Sequence, residues 1–298
     1  MSYLMHIGFD NSARLYKNVY YFEYKGIQYK LIQNNPRKWC DVLITIIPSY
    51  HDKKLKNRAY NIASEFISAL SWENFAMATV SEIGGSSAKD NICLRNAKCN
   101  MFDLPKIPYL GSASGNNISR MPKIENEGQR TALTLYRQAL SSNNDYLSFL
   151  FFWQVLEVGG KNPIGWINKI NKNGKIRFAI SESDLKRLPL NQKDLGNYFY
   201  DDCRNAIAHI NRRPGKTKIE IDTREDNIRM SLSVYAIELI ARYYIKNELS
   251  LNKEMWLVRK KGKGFPIYVD KEYLKNNPCT FAYNHMTTKK LLKKKNQI

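Results

Sequence analysis

One change of hydrophobic period divides this chain. Up to about residue 100, apolar residues come in short β-branched and aromatic runs bounded by turn signals; beyond residue 127 they recur every three or four positions over long stretches. Val19–Tyr24 and Ile27–Ile32 flank Lys25-Gly26 and predict a hairpin. Asp41–Ile47 (DVLITII) reads as a buried strand closed by Pro48. Lys53–Leu70 reads as a helix, because Leu55, Ala59, Ile62, Ala63, Phe66, Ile67 and Leu70 share one stripe. Met77–Ile83 and Ile92–Lys98 are candidate strands, with Gly84-Gly85-Ser86-Ser87 between them. The fold class expected is therefore α+β, with residues 1–105 forming an α+β domain.

Residues 106–126 read as a linker, rich in Pro, Gly, Ser and Asn. Residues 127–250 then read as an all-α helical bundle. Gly128–Leu140 is one helix, and a second runs from Asn144 to about Val158, stopped by Gly159-Gly160. A short helix is expected over Pro163–Ile170 and a long one over Leu195–Ile210, ended by the NRRPG run at Asn211. The last helix starts near Asp222, which with Glu225 has capping-box spacing, and Ile228, Leu232, Tyr235, Leu239 and Ile245 form its core stripe. Residues 251–298 read as a basic tail of net charge +9, with a hairpin around Lys260–Gly264.

Composition narrows the functional classes. With 47 Lys+Arg against 27 Asp+Glu, the net charge is +20, which favours a polyanionic partner. Lys-rich composition also follows from an AT-rich genome. No apolar run is long enough for a transmembrane helix, so no membrane partner is expected. The N-terminus has no basic region followed by an apolar stretch, so no signal peptide is expected. Cys40, Cys93, Cys99, Cys203 and Cys279 are odd in number and widely spaced, and with four histidines they assemble no zinc ligand set. A reducing, cytoplasmic setting follows, with no metal and no cofactor expected.

The segment DDCRNAIAH, Asp201 to His209, concentrates the residue types that handle phosphate chemistry. At 100° per residue, Phe199, Cys203, Ala206, Ile207 and Ile210 cluster within about 80° and form a buried face. Asp201, Asn205 and His209 form a polar stripe, and Arg204 also lies off the buried face. Arg204 and His209 are about 140° apart on one helix. Two copies facing across a two-fold axis would bring both pairs into one cleft, so a homodimer through the bundle is expected. Arg204 has Asp201 and Glu157 as alternative salt-bridge partners.

Arg204, Asn205 and His209 resemble the R-x4-6-H motif of the HEPN domain superfamily, in which a polar residue commonly follows the arginine. Helix number, length and motif placement over 127–250 carry the resemblance, which leaves 1–105 and 251–298 unaccounted for. It implies a metal-independent endoribonuclease that cleaves RNA by 2′-OH transesterification, with Arg204, Asn205 and His209 as catalytic and Asp201 and Glu157 as supporting residues. It further implies a toxin or antiviral defence setting and a regulatory or antitoxin-type partner. A second, weaker resemblance is to MauJ-like proteins.

The residue chemistry fits that expectation. An imidazole titrates near neutrality, a guanidinium fork matches non-bridging phosphate oxygens, and only RNA offers a 2′-OH. One alternative is a non-catalytic RNA-binding or dimerisation module. Another is a metal-dependent nuclease built on Glu23 and Lys25, with Asp10 upstream, since alternation puts Glu23 and Lys25 on one strand face. Gly111–Gly115 lacks a serine at its centre and fails as a nucleophile elbow. No phosphate-binding loop motif occurs. Tyr146, Phe149, Phe151, Phe152 and Trp153 read as core and dimer surface.

Overall fold

The computed structural model describes residues 2–12, 15, 18–33, 41–88, 93–97, 118–208, 223–260, 264–277 and 281–282. The chain is a mixed α and β protein of two compact units. The first takes residues from both ends of the chain, Met1–Asn74, Val80–Lys123 and Lys253–Ile298; the second holds Phe75–Thr79 and Ile124–Asn252.

The first unit is built on a mixed sheet that has nine strands among the described residues. In chain order they are β1 (Ser2–Asn11), β2 (Val19–Tyr24), β3 (Ile27–Ile32), β4 (Asp41–Ile47), β5 (Ala78–Ala88), β6 (Arg120–Pro122), β7 (Glu254–Lys260), β8 (Ile267–Asp270) and β9 (Phe281–Ala282). The spatial order is β5-β1-β4-β3-β2-β8-β7-β6, with β9 paired to β7. β2 and β3 form the expected hairpin, from Val19 opposite Ile32 to Tyr24 opposite Ile27. Positive φ at Lys25 (50°) and Gly26 (77°) makes the two-residue turn whose twist matches the strands.

Three expectations are corrected here. Gly84–Ser87, expected to separate two strands, runs inside β5, where a Cβ on Gly85 would collide with the Tyr3 ring and the Leu4 carbonyl. The expected strand at Ile92–Lys98 is, over its described part, a 3₁₀ turn at Leu94–Asn96. Nζ of buried Lys30 holds that turn through the carbonyls of Arg95 (3.1 Å) and Ala97 (2.6 Å). Residues 254–270 supply β7 and β8, which pair from Met255 opposite Asp270 to Val258 opposite Ile267 as the expected hairpin does, but they belong to the main sheet and not to a separate basic tail. The Glu23 N–H donates to Pro266 O at 2.7 Å, and Glu23 pairs in parallel register with Ile267, joining β8 to β2. The flanking lysines and arginines of this stretch obscure its apolar alternation. The expected linker likewise contributes β6, while 106–117 lies outside the described residues.

Helix α1 (Lys53–Asn74) packs on one face of this sheet. Phe66 stacks on Phe22 at 4.6 Å between ring centroids, and the Tyr29 hydroxyl donates to Ala59 O at 2.7 Å. On the other face, Leu4, Val42 and Ile44 pack with Ala88, Leu94 and Ala97.

The described elements of the second unit beyond Ile124 are helical: α2 (Glu127–Ser141), α3 (Asp145–Glu157), α4 (Pro163–Lys172), α5 (Glu182–Lys186), α6 (Leu195–Asn197), α7 (Asn205–Ala208) and α8 (Arg224–Asn247). Asn126, Asn144 and Asn162 cap α2, α3 and α4 by accepting first-turn N–H bonds. Thr223, not Asp222, caps α8, accepting from the Asp226 N–H at 3.4 Å; Asp222 lies outside the described residues. Phe149, Phe152 and Trp153 of α3 are buried, with Phe152 against Tyr136 and Phe149 against Phe199.

The expected core stripe of α8 is rotated. Met230, Ser233, Ile237, Ile240, Ala241 and Tyr244 are buried together with Ile245 of the expected stripe, whereas Leu232 and Leu239 are half-buried and Ile228 is 50% and Tyr235 48% exposed. Ser233 faces inward because its hydroxyl is satisfied there, donating to Arg229 O (2.8 Å) and meeting the Tyr198 hydroxyl (2.8 Å). Among the described residues, no helix is long and apolar enough to cross a membrane.

Candidate functional site

The segment carrying Arg204 begins as α6, but Tyr198–Arg204 winds as a π turn before α7 resumes at Asn205. The Asn205 N–H donates to Tyr200 O, five residues back. The wide turn buries Tyr198, Phe199, Asp202 and Cys203 together. Buried Asp202 accepts from Lys193 Nζ at both carboxylate oxygens, at 2.7 and 2.8 Å. A π turn holds one residue more than an α turn, which delays all later side chains by about 100°. The expected stripe is therefore reset: Asn205 follows Tyr200, not Asp201, around the helix. Of the expected buried face, Phe199, Cys203 and Ala206 are buried and Ile207 is half-buried; Ile210 and His209 lie outside the described residues.

Arg204 is half-buried, and its Nη1 donates to Asn205 Oδ1 at 3.0 Å. Its Cζ lies 5.9 Å from the centre of the Tyr200 ring, a cation–π contact at i, i+4 spacing. The Tyr200 ring lies 5.9 Å from that of Trp153, whose Nε1 donates to Glu157 Oε1 at 2.7 Å. Glu157 thus anchors the aromatic platform beneath Arg204. Asp201 is half-buried on the π turn. Tyr200 is the residue sequence reasoning missed, and Trp153 reads from the sequence only as core and dimer surface, although the pairs Trp153–Glu157 and Tyr200–Arg204 both stand at helical spacing.

This arrangement has a defined polarity. With Oδ1 accepting from Arg204, Asn205 keeps both amide hydrogens to offer, and Arg204 keeps the rest of its five-donor fork. Two adjacent side chains therefore offer mainly N–H donors, which suits an anion. Cys203, between Asp202 and Arg204, adds no nucleophile: burial pushes its thiol up to about 11, so it stays protonated at neutral pH.

The carboxylate alternative is corrected. Lys25 belongs to the hairpin turn, not the strand, and its Nζ pairs with buried Glu65 at 2.5 Å. Glu65 also accepts from the Tyr24 hydroxyl at 2.8 Å. Glu23 and Lys25 therefore do not share a face. Among the described residues, no three His, Cys, Asp or Glu side chains are grouped to hold a metal ion.

A family model described as Methylamine utilization protein MauJ matches residues 132–246. The match begins in α2, ends in α8 and includes Arg204, Asn205 and His209. It spans well under half of the 298 residues and falls within the second unit. Neither the curated proteins nor the solved structures contain a match to this chain.

Proposed function

We propose that this protein is a metal-independent endoribonuclease of HEPN type. The observation that carries the reading is the Arg204–Asn205 pair, two adjacent hydrogen-bonded groups with Arg204 held over Tyr200, whose remaining N–H donors suit a phosphate. His209 follows Asn205 by four residues and supplies the proton-transferring group. Its imidazole takes the proton of a ribose 2′-OH, and O2′ attacks the adjacent phosphorus. The P–O5′ bond breaks as a His209 imidazolium gives its proton to O5′, and the products are a 2′,3′-cyclic phosphate and a 5′-OH. Arg204 meets the charge that builds on the non-bridging oxygens, and Asn205 orients the phosphate.

The working unit in this reading is a homodimer. Ile228, Leu232, Tyr235 and Leu239 line one side of α8, with Ile228 and Tyr235 about half exposed, an apolar stripe suited to a second copy. By resemblance, the setting is a cytoplasmic toxin or antiviral defence system with a regulatory partner.

End-group analysis tests the reaction. Single-stranded RNA incubated with the protein in EDTA is expected to yield 2′,3′-cyclic phosphate and 5′-OH ends, with DNA of the same sequence left intact. Cleavage abolished by EDTA would overturn the metal-independent mechanism. Salt-sensitive RNA binding without cleavage would make the protein a binding module instead.

A further inference from the structure

The cleft where β3 and β4 part carries a second assignment, in the first unit. These strands are neighbours in the sheet, but their ladder runs only from Ile32 opposite Val42 to Lys30 opposite Ile44. Past that point each stays with its other neighbour, β3 with β2 as far as Ile27, and β4 with β1 as far as Ile47. A cavity of about 300 Å³ opens between Ile27-Gln28 on one side and Thr45–Pro48 on the other. Leu55 and Ala59 of α1 line it on one face of the sheet, and Leu94 on the other.

The walls combine apolar surface with backbone amides. Successive residues of a strand turn both backbone polar groups to alternate sides. At least one of Thr45, Ile46 and Ile47 therefore aims its N–H and C=O into the cleft, and so does one of Ile27 and Gln28. Beyond Lys30 and Ile44, the ladder gives these groups no partner across the gap among the described residues. A flat ring with donors and acceptors on its edge matches two facing strand edges between apolar walls.

The rim is cationic. Arg58 precedes Ala59, and its Nη2 is 4.0 Å from where a Cβ on Gly26 would stand, at the hairpin end of the cleft. Lys53 and Lys54 are exposed in the first turn of α1, which carries no acidic residue. Cations at the positive end of a helix dipole cost stability, and a bound phosphate would relieve them. The nearby carboxylates are engaged: Asp52 caps the Leu55 N–H at 2.8 Å, and Glu65 is buried against Lys25.

We propose that this cleft binds a single nucleotide, with the base between the parted strands and the phosphate on Arg58 and the α1 lysines. The cavity is at the small end of ligand pockets, ~300–1,000 Å³, which suits one nucleotide and excludes a duplex. The nucleotide comes either free or as a member of a single-stranded RNA. This assignment stands independently of the ribonuclease reading.

The test uses the full chain. Binding of AMP, GMP, CMP and UMP is measured by calorimetry, and of a 5′-phosphorylated tetraribonucleotide by fluorescence anisotropy. At least one mononucleotide is expected to bind wild type. Arg58→Glu, at an exposed position, should weaken it by about tenfold, and Leu55→Trp should fill the cavity and abolish it, with thermal melting reporting that each variant folds. Displacement of the tetramer by a mononucleotide would assign both sources to one cleft; cleft-dependent binding of the tetramer alone would make RNA the source. Binding unchanged in Arg58→Glu and Leu55→Trp, or no binding of any probe, would overturn the proposal. Arg204→Ala should leave it intact, which separates this site from the one on the π turn.

Discussion

Arg204 donates to the side-chain oxygen of its own neighbour, Asn205, across 3.0 Å. On a regular α-helix, adjacent side chains diverge by about 100°; here the pair stands where a π turn gives way to an α turn, over the Tyr200 ring. The bond turns Oδ1 of the Asn205 amide toward Arg204 and leaves its N–H groups as donors. Asn205→Asp should therefore reverse the site: the carboxylate would hold Arg204 more tightly and repel phosphate. RNA cleavage is expected to fall by about 100-fold, ~2.7 kcal/mol in barrier, with melting temperature unchanged or raised, as measured by initial rates beside a thermal scan.

The close approach of β5 to β1 predicts a stability effect far from the site. Gly85→Ala places a methyl group against the Tyr3 ring and the Leu4 carbonyl, and the backbone cannot move without breaking the ladder. A loss of about 1–3 kcal/mol is expected, read as a lower urea midpoint at unchanged slope.

Burial holds the His6 imidazole below its ordinary value. In the unfolded chain the group titrates near ~6.5, so below that pH the unfolded state takes up a proton that the folded state refuses. Stability from this group is full above about 6.5 and declines as pH falls through that value toward the lower folded one. His6→Asn should remove this component. Urea midpoints at pH 7.5 and 5 check it: the drop between them should be smaller in the variant.

The half-exposed stripe on α8 predicts how the chain self-associates. Ile228→Glu or Tyr235→Glu should convert a dimer to monomer in light scattering at micromolar concentration without lowering the melting temperature of the monomer. RNA cleavage should be lost in parallel, since the proposed site needs two copies. A chain that is monomeric before substitution would remove the dimer from the account.

Local signals made much of the fold legible. Val19–Tyr24, Ile27–Ile32 and Asp41–Ile47 carry turn residues and β-branched runs that coincide with β2, β3 and β4, and Asn144 marks the start of α3. β1 was not legible, because Leu4 to Phe9 is buried on both faces and shows no alternation. The joining of β7 and β8 to β2 is a long-range pairing that leaves no local trace in the sequence. The site was half legible. Arg204 and Asn205 stood out as residue types, but their mutual bond depends on a π turn, and an angular reading at 100° per residue assumes that no such turn exists. Inward-facing Ser233 misled in the same way, since its partners Tyr198 and Arg229 are not visible in a polarity pattern.

The central claim is that Arg204 and His209 act together on the RNA phosphate. The measurement that tests it most directly is the rate of RNA cleavage in EDTA by wild type, Arg204→Ala and His209→Ala, each shown by thermal melting to be folded. The account predicts a loss of at least about 100-fold in both variants. Cleavage that persists at the wild-type rate in both would contradict it.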